Sequence, residues 1–409
     1  MRIALVHDYI KEYGGAERVL EALHEIWPEA PVYTSVYLPE FLGPHKERFK
    51  DWDIHTSFLQ HLPFKEKLIS PFRIIAPFMF KSFDLSKYDV VIVSATGAYS
   101  PNSKFKIQNS KLSKRPIHIC YCHTPPRYLY GYATAREWKK NLIFRAIGEI
   151  GNHFLRLVDF KSSQNVDYFI ANSKNVAGRI EKFYRREAIV IYPPVQIPNS
   201  KLQISNKSQN TKYKIQNTDY FLAGGRLARP KHIDLIVQAC RELRVPLKVF
   251  GRGFGGYGEE LNKELRSMNY GLRENKNHDS LFIIHNSDVE FLGEVSDEEK
   301  LELMRNAKAY IFASEDEDFG ITPVEAMSCG TAVIAYRSGG VVESILQSRT
   351  GLFFEELTVE SLKEAIKQFN NLTIDPNGCI KQAKKFSKER FKKAIRKFVY
   401  EKIWHARHS

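Results

Sequence analysis

Short apolar runs recur along the chain, and stretches of helical spacing separate them. The first run, Ile3-Ala4-Leu5-Val6, lies between Arg2 and His7; a turn at Gly14-Gly15 follows, then a helical pattern over Ala16 to Ile26. Further runs of strand length fall at Val32 to Val36, Val90 to Ser94, Ile117 to Tyr121 and Tyr168 to Ala171. This alternation predicts a mostly parallel sheet with helices on both faces. The pattern pauses at Tyr192-Pro193-Pro194. It restarts with Tyr220 to Ala223, Leu247 to Phe250, Val289 to Leu292, Ala309 to Ala313 and Ala332 to Ala335. The expected class is α/β, two Rossmann-like, doubly wound halves whose strand C-termini face a central cleft. The expected divisions are 1–192 for the first half, 193–219 for a hinge, 220–385 for the second half and 386–409 for a terminal helix. In that last stretch Phe and Ile alternate with Lys and Arg at helical spacing, which predicts a helix packed on the surface and bridging the halves.

Composition narrows the class. A chain of 409 residues, 43% hydrophobic and 26% charged, can bury the cores of roughly two to three domains and is not a disordered chain. No apolar run is long enough to span a bilayer, and the chain enters a strand at once. Five scattered cysteines argue against a disulfide framework. The expected location is the cytoplasm, peripheral at most on the inner face of the cytoplasmic membrane. A net charge of +14 points either to nucleic acid or to an anionic membrane or substrate. Part of it sits in Lys104 to Arg115 and Ser200 to Thr218, low-complexity segments that share Lys-Ile-Gln-Asn and are expected to be disordered surface inserts. No zinc-finger spacing, RNA-binding aromatic motif or focused basic helix supports nucleic acid, so no nucleic-acid partner is expected.

The most informative stretch is Ser314-Glu-Asp-Glu-Asp-Phe-Gly-Ile-Thr-Pro-Val-Glu-Ala-Met-Ser-Cys-Gly330. Thr322 reads as a helix N-cap, Pro323 as the first helical position and Gly330 as the stop. Glu317 and Glu325 then flank a helix N-terminus, whose unpartnered N–H groups attract anions. A sugar nucleotide would need that arrangement: one carboxylate for sugar hydroxyls, one for ribose, and the diphosphate over the helix end. A fully helical 317–325 would separate the two by about 12 Å, comparable with the distance from hexose to ribose. Thr322-x-x-Glu325 also fits a capping box, and Glu317 also fits a solvated acidic run.

Gly14-Gly15 lies between strand and helix, where close backbone approach to a phosphate is feasible and an ordinary turn equally so. Gly225-Arg226-Leu-Ala-Arg-Pro-Lys231 puts two cations after the first strand of the second half. Fixed in a dry site, Arg226 and Lys231 would stabilise the charge that develops on a departing diphosphate without a metal; isolated, they would be solvated surface. Cys120-Tyr121-Cys122-His123 suggests zinc, but a strand alternates its side chains and no second ligand pair appears nearby. No metal is therefore expected, and His123 reads as a polar group at a strand end. Residues Phe58 to Phe83 mix Phe, Leu, Ile and Pro with Lys65, Lys67, Arg73 and Lys81: an apolar core face, or a basic amphipathic surface for anionic lipid.

Four motifs, Gly14-Gly15-Ala16-Glu17-Arg18, Gly225-Arg226-(x4)-Lys231, Phe291-Leu292-Gly293 and Glu317-(x7)-Glu325, resemble in order and spacing the family 4 retaining glycosyltransferases of the GT-B fold. His123-Thr-Pro-Pro-Arg127-Tyr128 and Phe83-Asp-Leu-(x2)-Tyr-Asp-Val-Val91 resemble the WbaZ-like mannosyltransferase subgroup of O-antigen assembly, whose setting is cell-envelope polysaccharide synthesis. The resemblance implies that Arg226 and Lys231 bind the donor diphosphate with the Gly14-Gly15 backbone. It implies that Glu317 and the amides of Phe319 and Gly320 hold donor-sugar hydroxyls, and that Glu325 binds ribose. His123 would contact the sugar near its anomeric carbon, and the base would lie near Arg252 and Phe291-Leu292. Glu17, Arg127 and Tyr128 would stand on the acceptor side. The implied co-substrate is a nucleotide sugar, GDP-mannose favoured, with a glycan or lipid-linked glycan acceptor and no cofactor. Retention would follow a front-side path, since no carboxylate nucleophile is evident in the first-half motifs. Asp318, where the family often has glycine, and Gly251-Arg252-Gly253, in place of Gly-Asp/Glu-Gly, depart from the pattern. A UDP- or ADP-sugar donor and a non-catalytic sugar-nucleotide binder are the alternatives.

Overall fold

The structure, a computed structural model, describes residues 1–102, 115–134, 142–198, 220–267 and 288–408. The low-complexity segments, Arg115 apart, lie outside these residues. The chain divides into two compact units: Met1–Tyr132, Trp138–Pro194 and Lys388–Ser409 form one, Ala133–Glu137 and Val195–Ser387 the other.

The first unit opens with β1 (Ile3–His7), α1 (Gly15–Ile26), β2 (Val32–Thr34), β3 (Ile54–Thr56), α2 (Ala76–Lys81) and β4 (Val90–Ala95). β5 (Ile117–Cys122), α3 (Arg127–Tyr130), α4 (Leu142–Ser163), β6 (Tyr168–Ala171), α5 (Lys174–Tyr184) and β7 (Ala188–Val190) follow. The strands make one sheet in the order β3-β2-β1-β4-β5-β6-β7, and its pairings are parallel. Its central strands carry apolar residues on both faces because both faces are covered. One face packs Val6, Val93, Cys120 and Cys122 beneath Phe72, Met79 and Phe80. The other packs Leu5, Ile92 and Tyr121 beneath Leu20 and Leu23 of α1. Cys120 and Cys122 thus lie in the core, two residues apart on one side of β5.

The second unit runs β8 (Phe221–Gly224), α6 (Ile233–Glu242), β9 (Leu247–Phe250), α7 (Tyr257–Ser267), β10 (Val289–Gly293), α8 (Asp297–Asn306) and β11 (Ala309–Phe312). It continues with α9 (Ile321–Ser328), β12 (Ala332–Tyr336), β13 (Gly351–Phe354), α10 (Val359–Asn370) and α11 (Pro376–Ala383). Its parallel sheet has the order β10-β9-β8-β11-β12-β13, the doubly wound pattern of the first sheet repeated. The chain then returns: α12 (Lys388–His408) lays Phe391, Ile395 and Val399 into the α1 side of the first unit's core. Lys392 Nζ, 3.2 Å from Glu25 Oε2, and Lys388 anchor it to α1.

Each half has strands beyond those read from the sequence. β3 and β7 are three residues long with half-exposed or exposed side chains, so no apolar run marks them. β13, Gly-Leu-Phe-Phe, is buried throughout, but it is short and opens on glycine.

Candidate active site

In each sheet the strand order reverses once, between β1 and β4 and between β8 and β11. Adjacent loops there leave in opposite directions and open a crevice at the strand C-termini. Many of the candidate residues lie at or beside these two places, while Phe291 and Leu292 are on the edge strand β10 and Arg127 and Tyr128 on α3.

In the first unit His7 ends β1 and is the register partner of Ser94 on β4; His123 follows β5. The Ser94 hydroxyl lies 3.1 Å from His7 Nδ1 and 2.9 Å from His123 Nε2. On the far side of His7, Nε2 stands 3.6 Å from Glu17 Oε1. The second oxygen of Glu17 accepts the Gly14 N–H at 2.8 Å. Gly14 caps α1 with an extended φ of −127°, and Glu17 is the third residue of the helix, so this is the return half of a capping box. In the chain Gly14–Glu17–His7–Ser94–His123 the four side chains are buried and Gly14 is half-buried. Burial first, then the nearby His7, pushes the His123 pKa down to about 3. Its imidazole is therefore neutral across physiological pH and serves as a hydrogen-bonding group, not a cation. Glu17, expected on the acceptor side, is turned inward to this chain. Tyr128, on α3 with Arg127, lies with its ring 4.2 Å beneath the Arg73 guanidinium.

Asp8 was not singled out from the sequence. It is the first residue beyond β1 and fully buried; its Oδ2 accepts the Thr96 N–H at 3.0 Å, and its Oδ1 has no hydrogen-bond partner. Burial raises its pKa.

In the second unit α9 is capped by Gly320, whose φ of +88° suits glycine alone among common residues, and helix begins at Ile321. Thr322 and Pro323 are thus its second and third residues, a correction to the expected cap. With Glu325 at the fifth position the Thr322 capping box does not form in this register, and residues 317–320 precede the helix. The Glu317 and Glu325 carboxylates have separate partners. Glu317 Oε2 accepts from Lys231 Nζ at 2.5 Å and from Ser314 Oγ at 2.8 Å. Its carbonyl accepts the Gly340 N–H at 2.7 Å, which fixes the loop before α9. Glu325, buried, accepts from Lys300 Nζ at 3.1 Å, and Lys300 also meets Asp297 Oδ1 at 3.1 Å. The buried Tyr310 hydroxyl donates to Gly224 O at 2.7 Å; burial raises its pKa, and the charges of Glu325 and Glu317 raise it further. Lys300 sits within a charged helical run, Glu-Glu-Lys, which from sequence reads as solvated surface.

Arg226 follows β8, exposed, with its guanidinium 4.7 Å over the Phe254 ring. The Leu227 N–H donates to Arg252 O at 2.9 Å, so the loops bearing Arg226 and Arg252 are paired through their backbones. A Cβ on Gly251 would come within 1.8 Å of Gly225 O, and its φ is +127°. We expect Gly251→Ala to destabilise the fold by at least about 1–3 kcal/mol, read as a lowered Tm; an unchanged Tm would refute this account of the loop pair. Phe291, Leu292 and Phe319 have buried side chains, the last 5.3 Å from Phe386 ring to ring, so they can offer a ligand chiefly their backbone.

The second switch point thus carries cations, an ion-paired carboxylate and a helix N-terminus, a set suited to a phosphate-bearing ligand with hydroxyls. Residues 205–386 match the family model described as Glycosyl transferases group 1. Over 247 residues the chain is 28% identical to an uncharacterized glycosyltransferase, MJ1178, of Methanocaldococcus jannaschii, covering 59% of this chain and 61% of that protein, less than two-thirds of its length. It is 25% identical over 338 residues to alpha-1,3/1,6-mannosyltransferase ALG2 of Mus musculus, covering 76% of this chain and 73% of that one. Among solved structures, Anabaena HepE in complex with UDP and glucose matches with a TM-score of 0.64 at 16% identity, covering 98% of this chain and 100% of that one. The fold is GT-B, and the match to the glycosyltransferase group 1 model falls within the second unit.

Proposed function

We propose that the chain is a retaining, family 4 glycosyltransferase that moves a hexose, mannose from GDP-mannose, to a glycan or lipid-linked glycan acceptor without a metal. The Lys231–Glu317 pair at the start of α9 carries the reading: it puts a cation and a hydroxyl-accepting carboxylate side by side at a strand-end anion site. Arg226 and Lys231 hold the diphosphate and stabilise its departure. Glu317 accepts from the sugar hydroxyls, Glu325 from ribose, and Arg252 lies toward the base. The neutral His123 serves as a hydrogen-bonding group for sugar hydroxyls. Likeness to a protein described as a mannosyltransferase supports mannose. A neighbour that holds UDP and glucose favours, as second reading, a UDP-sugar donor. Cell-envelope polysaccharide synthesis and the WbaZ-like subgroup belong to the first reading.

The test is calorimetric titration with GDP, UDP and ADP, without and then with magnesium. Selective GDP binding of micromolar order, unchanged by magnesium, is expected, about −8 kcal/mol. Preference for UDP or ADP replaces the donor, and no binding by folded protein removes the proposal.

A further inference from the structure

We propose that Asp8, Arg73 and Tyr128 form a sugar-binding subsite in the first unit, in which Asp8 Oδ1 accepts a hydrogen bond from a hydroxyl of the acceptor glycan. That the sugar is the acceptor rests on the transferase reading above; the subsite stands on the first unit alone.

β1 ends at the switch point of its sheet, the place where open α/β sheets take their ligands. Side chains alternate across a strand, so the two residues at its end part company. His7 follows Leu5 to the α1 side and joins the Ser94–His123 chain. Asp8 follows Val6 to the other side, where Phe72 and Tyr99 lie. There its Oδ2 accepts the Thr96 N–H at 3.0 Å, the Thr96 hydroxyl and the Tyr99 N–H at 3.5 Å. All three donors belong to the loop after β4, and all reach one oxygen. The buried Oδ1 has no hydrogen-bond partner. A Cβ on Gly97, whose φ is +80°, would come within 2.7 Å of Thr124 O, so the loop is pressed on the turn after β5 and its donors are fixed.

Asp159 shows how the same unit treats a carboxylate with a structural task. It too is buried, but both oxygens are met: Ser100 Oγ donates to Oδ1 at 2.7 Å, and the Tyr130 and Tyr184 hydroxyls donate to Oδ2 at 2.9 Å each. A bare carboxylate oxygen in the interior costs free energy that folding alone does not return. A second bare atom lies in the same cluster. Arg73 Nε is buried without a hydrogen-bond partner, and the guanidinium sits 4.2 Å over the Tyr128 ring. Burial raises the pKa of Tyr99 and of Tyr128, and at each hydroxyl the Asp8 carboxylate adds to the rise while the Arg73 guanidinium opposes it. Acid and base thus flank the same two phenols, and each keeps an unsatisfied atom. A sugar hydroxyl both donates and accepts, so it suits a carboxylate oxygen on one side and a guanidinium N–H on the other. Residues 64–75, which carry Arg73 and cover this face with Phe72, must shift to admit a sugar to Asp8. Their ties include the Tyr99 hydroxyl, donating to Ile69 O at 2.8 Å, and Lys11 Nζ, donating to Glu66 O at 2.7 Å.

The test is saturation-transfer NMR of the full chain with methyl α-mannopyranoside and methyl β-glucopyranoside. Binding of at least one, of millimolar order, is expected, and it should persist in Glu317→Gln, whose change lies in the second unit. Asp8→Asn keeps an oxygen for the 96–99 loop but turns an amide N–H toward the sugar. It should weaken binding about tenfold or more, the scale of one hydrogen bond to a charged group. Arg73→Met keeps an apolar stem on Tyr128 and should weaken binding similarly. A cooperative thermal transition near the wild-type Tm verifies that each variant folds. Binding of neither sugar, or binding indifferent to both variants, overturns the subsite. Binding lost in Glu317→Gln puts the sugar in the second unit and overturns it as well. Asp8-dependent sugar binding by a protein that calorimetry shows to ignore GDP, UDP and ADP would keep the subsite and remove the transferase reading.

Discussion

Lys231→Ala is expected to lower kcat by about 10²–10³-fold, the range for removing one charge-stabilising donor from a transition state, with a smaller loss of nucleotide affinity. Lys231 Nζ is fixed by Glu317 at 2.5 Å and lies 4.7 Å over the Phe312 ring, so its position is set before a ligand arrives. Charge on the leaving phosphate grows as the glycosidic bond breaks, and a pre-positioned ammonium favours that state over the ground state. Removing it also leaves Glu317 partly buried without that cation, and its carboxylate would oppose the incoming diphosphate. Glu317→Gln separates the two effects: the lysine stays while the sugar loses a charged acceptor. The double variant should lose much less than the product of the single losses, because both act through one contact. Single-turnover rates with calorimetric affinities decide it. A Lys231→Ala enzyme with unaltered turnover, or strictly multiplicative losses, would remove the pair from the chemistry.

The strands of both sheets were legible wherever an apolar run was long enough, because a strand buried on two faces must be apolar throughout. β3 and β7 were not, since edge strands with one neighbour need no such run. Glu317 and Lys231 were legible as chemistry-bearing types at strand ends, yet their 2.5 Å contact joins positions 86 residues apart and depends on β8 lying beside β11. Lys300 escaped notice because one buried ion pair distinguishes it from a solvated lysine, and only the fold reveals the pair. α9 shows the limit of local rules. Thr-Pro is a strong start signal, but the positive φ available to Gly320 lets the helix begin two residues earlier than expected from Thr322. α4 turns Ile150, Phe154 and Leu157 outward and buries Asn152 and Asp159, an arrangement hidden for a different reason: a helical stripe shows its period, not which side of it faces the protein.

The second large effect is expected at the far end of the first unit's polar chain. His123→Ala should reduce kcat by about 10²-fold or more, the scale for losing one fixed polar group that acts on the transition state, and Ser94→Ala by roughly tenfold, with unchanged nucleotide binding in the second unit. The smaller loss follows from geometry. Ser94 reaches no ligand in this account; its hydroxyl holds the ring at 2.9 Å and sets which nitrogen carries the proton. The Glu17 carboxylate, 3.6 Å from His7 Nε2, favours a proton there. With a proton on Nε2 and none on Nδ1, His7 accepts from the Ser94 hydroxyl at Nδ1, and Ser94 accepts from His123 Nε2–H. His123 is left with an Nδ1 lone pair, able to accept a hydrogen bond from a sugar hydroxyl. Because burial holds its pKa at about 3, kcat should show no titration from this ring between about pH 5 and 8. Nitrogen-15 shifts of His123 are the readout that a purely structural role would not move. They should report the Nε2–H form in the wild type and a mixture of tautomers in Glu17→Gln and Ser94→Ala. A His123 already protonated at Nδ1 in the wild type would reverse the direction of the chain and, with it, the role assigned to this imidazole.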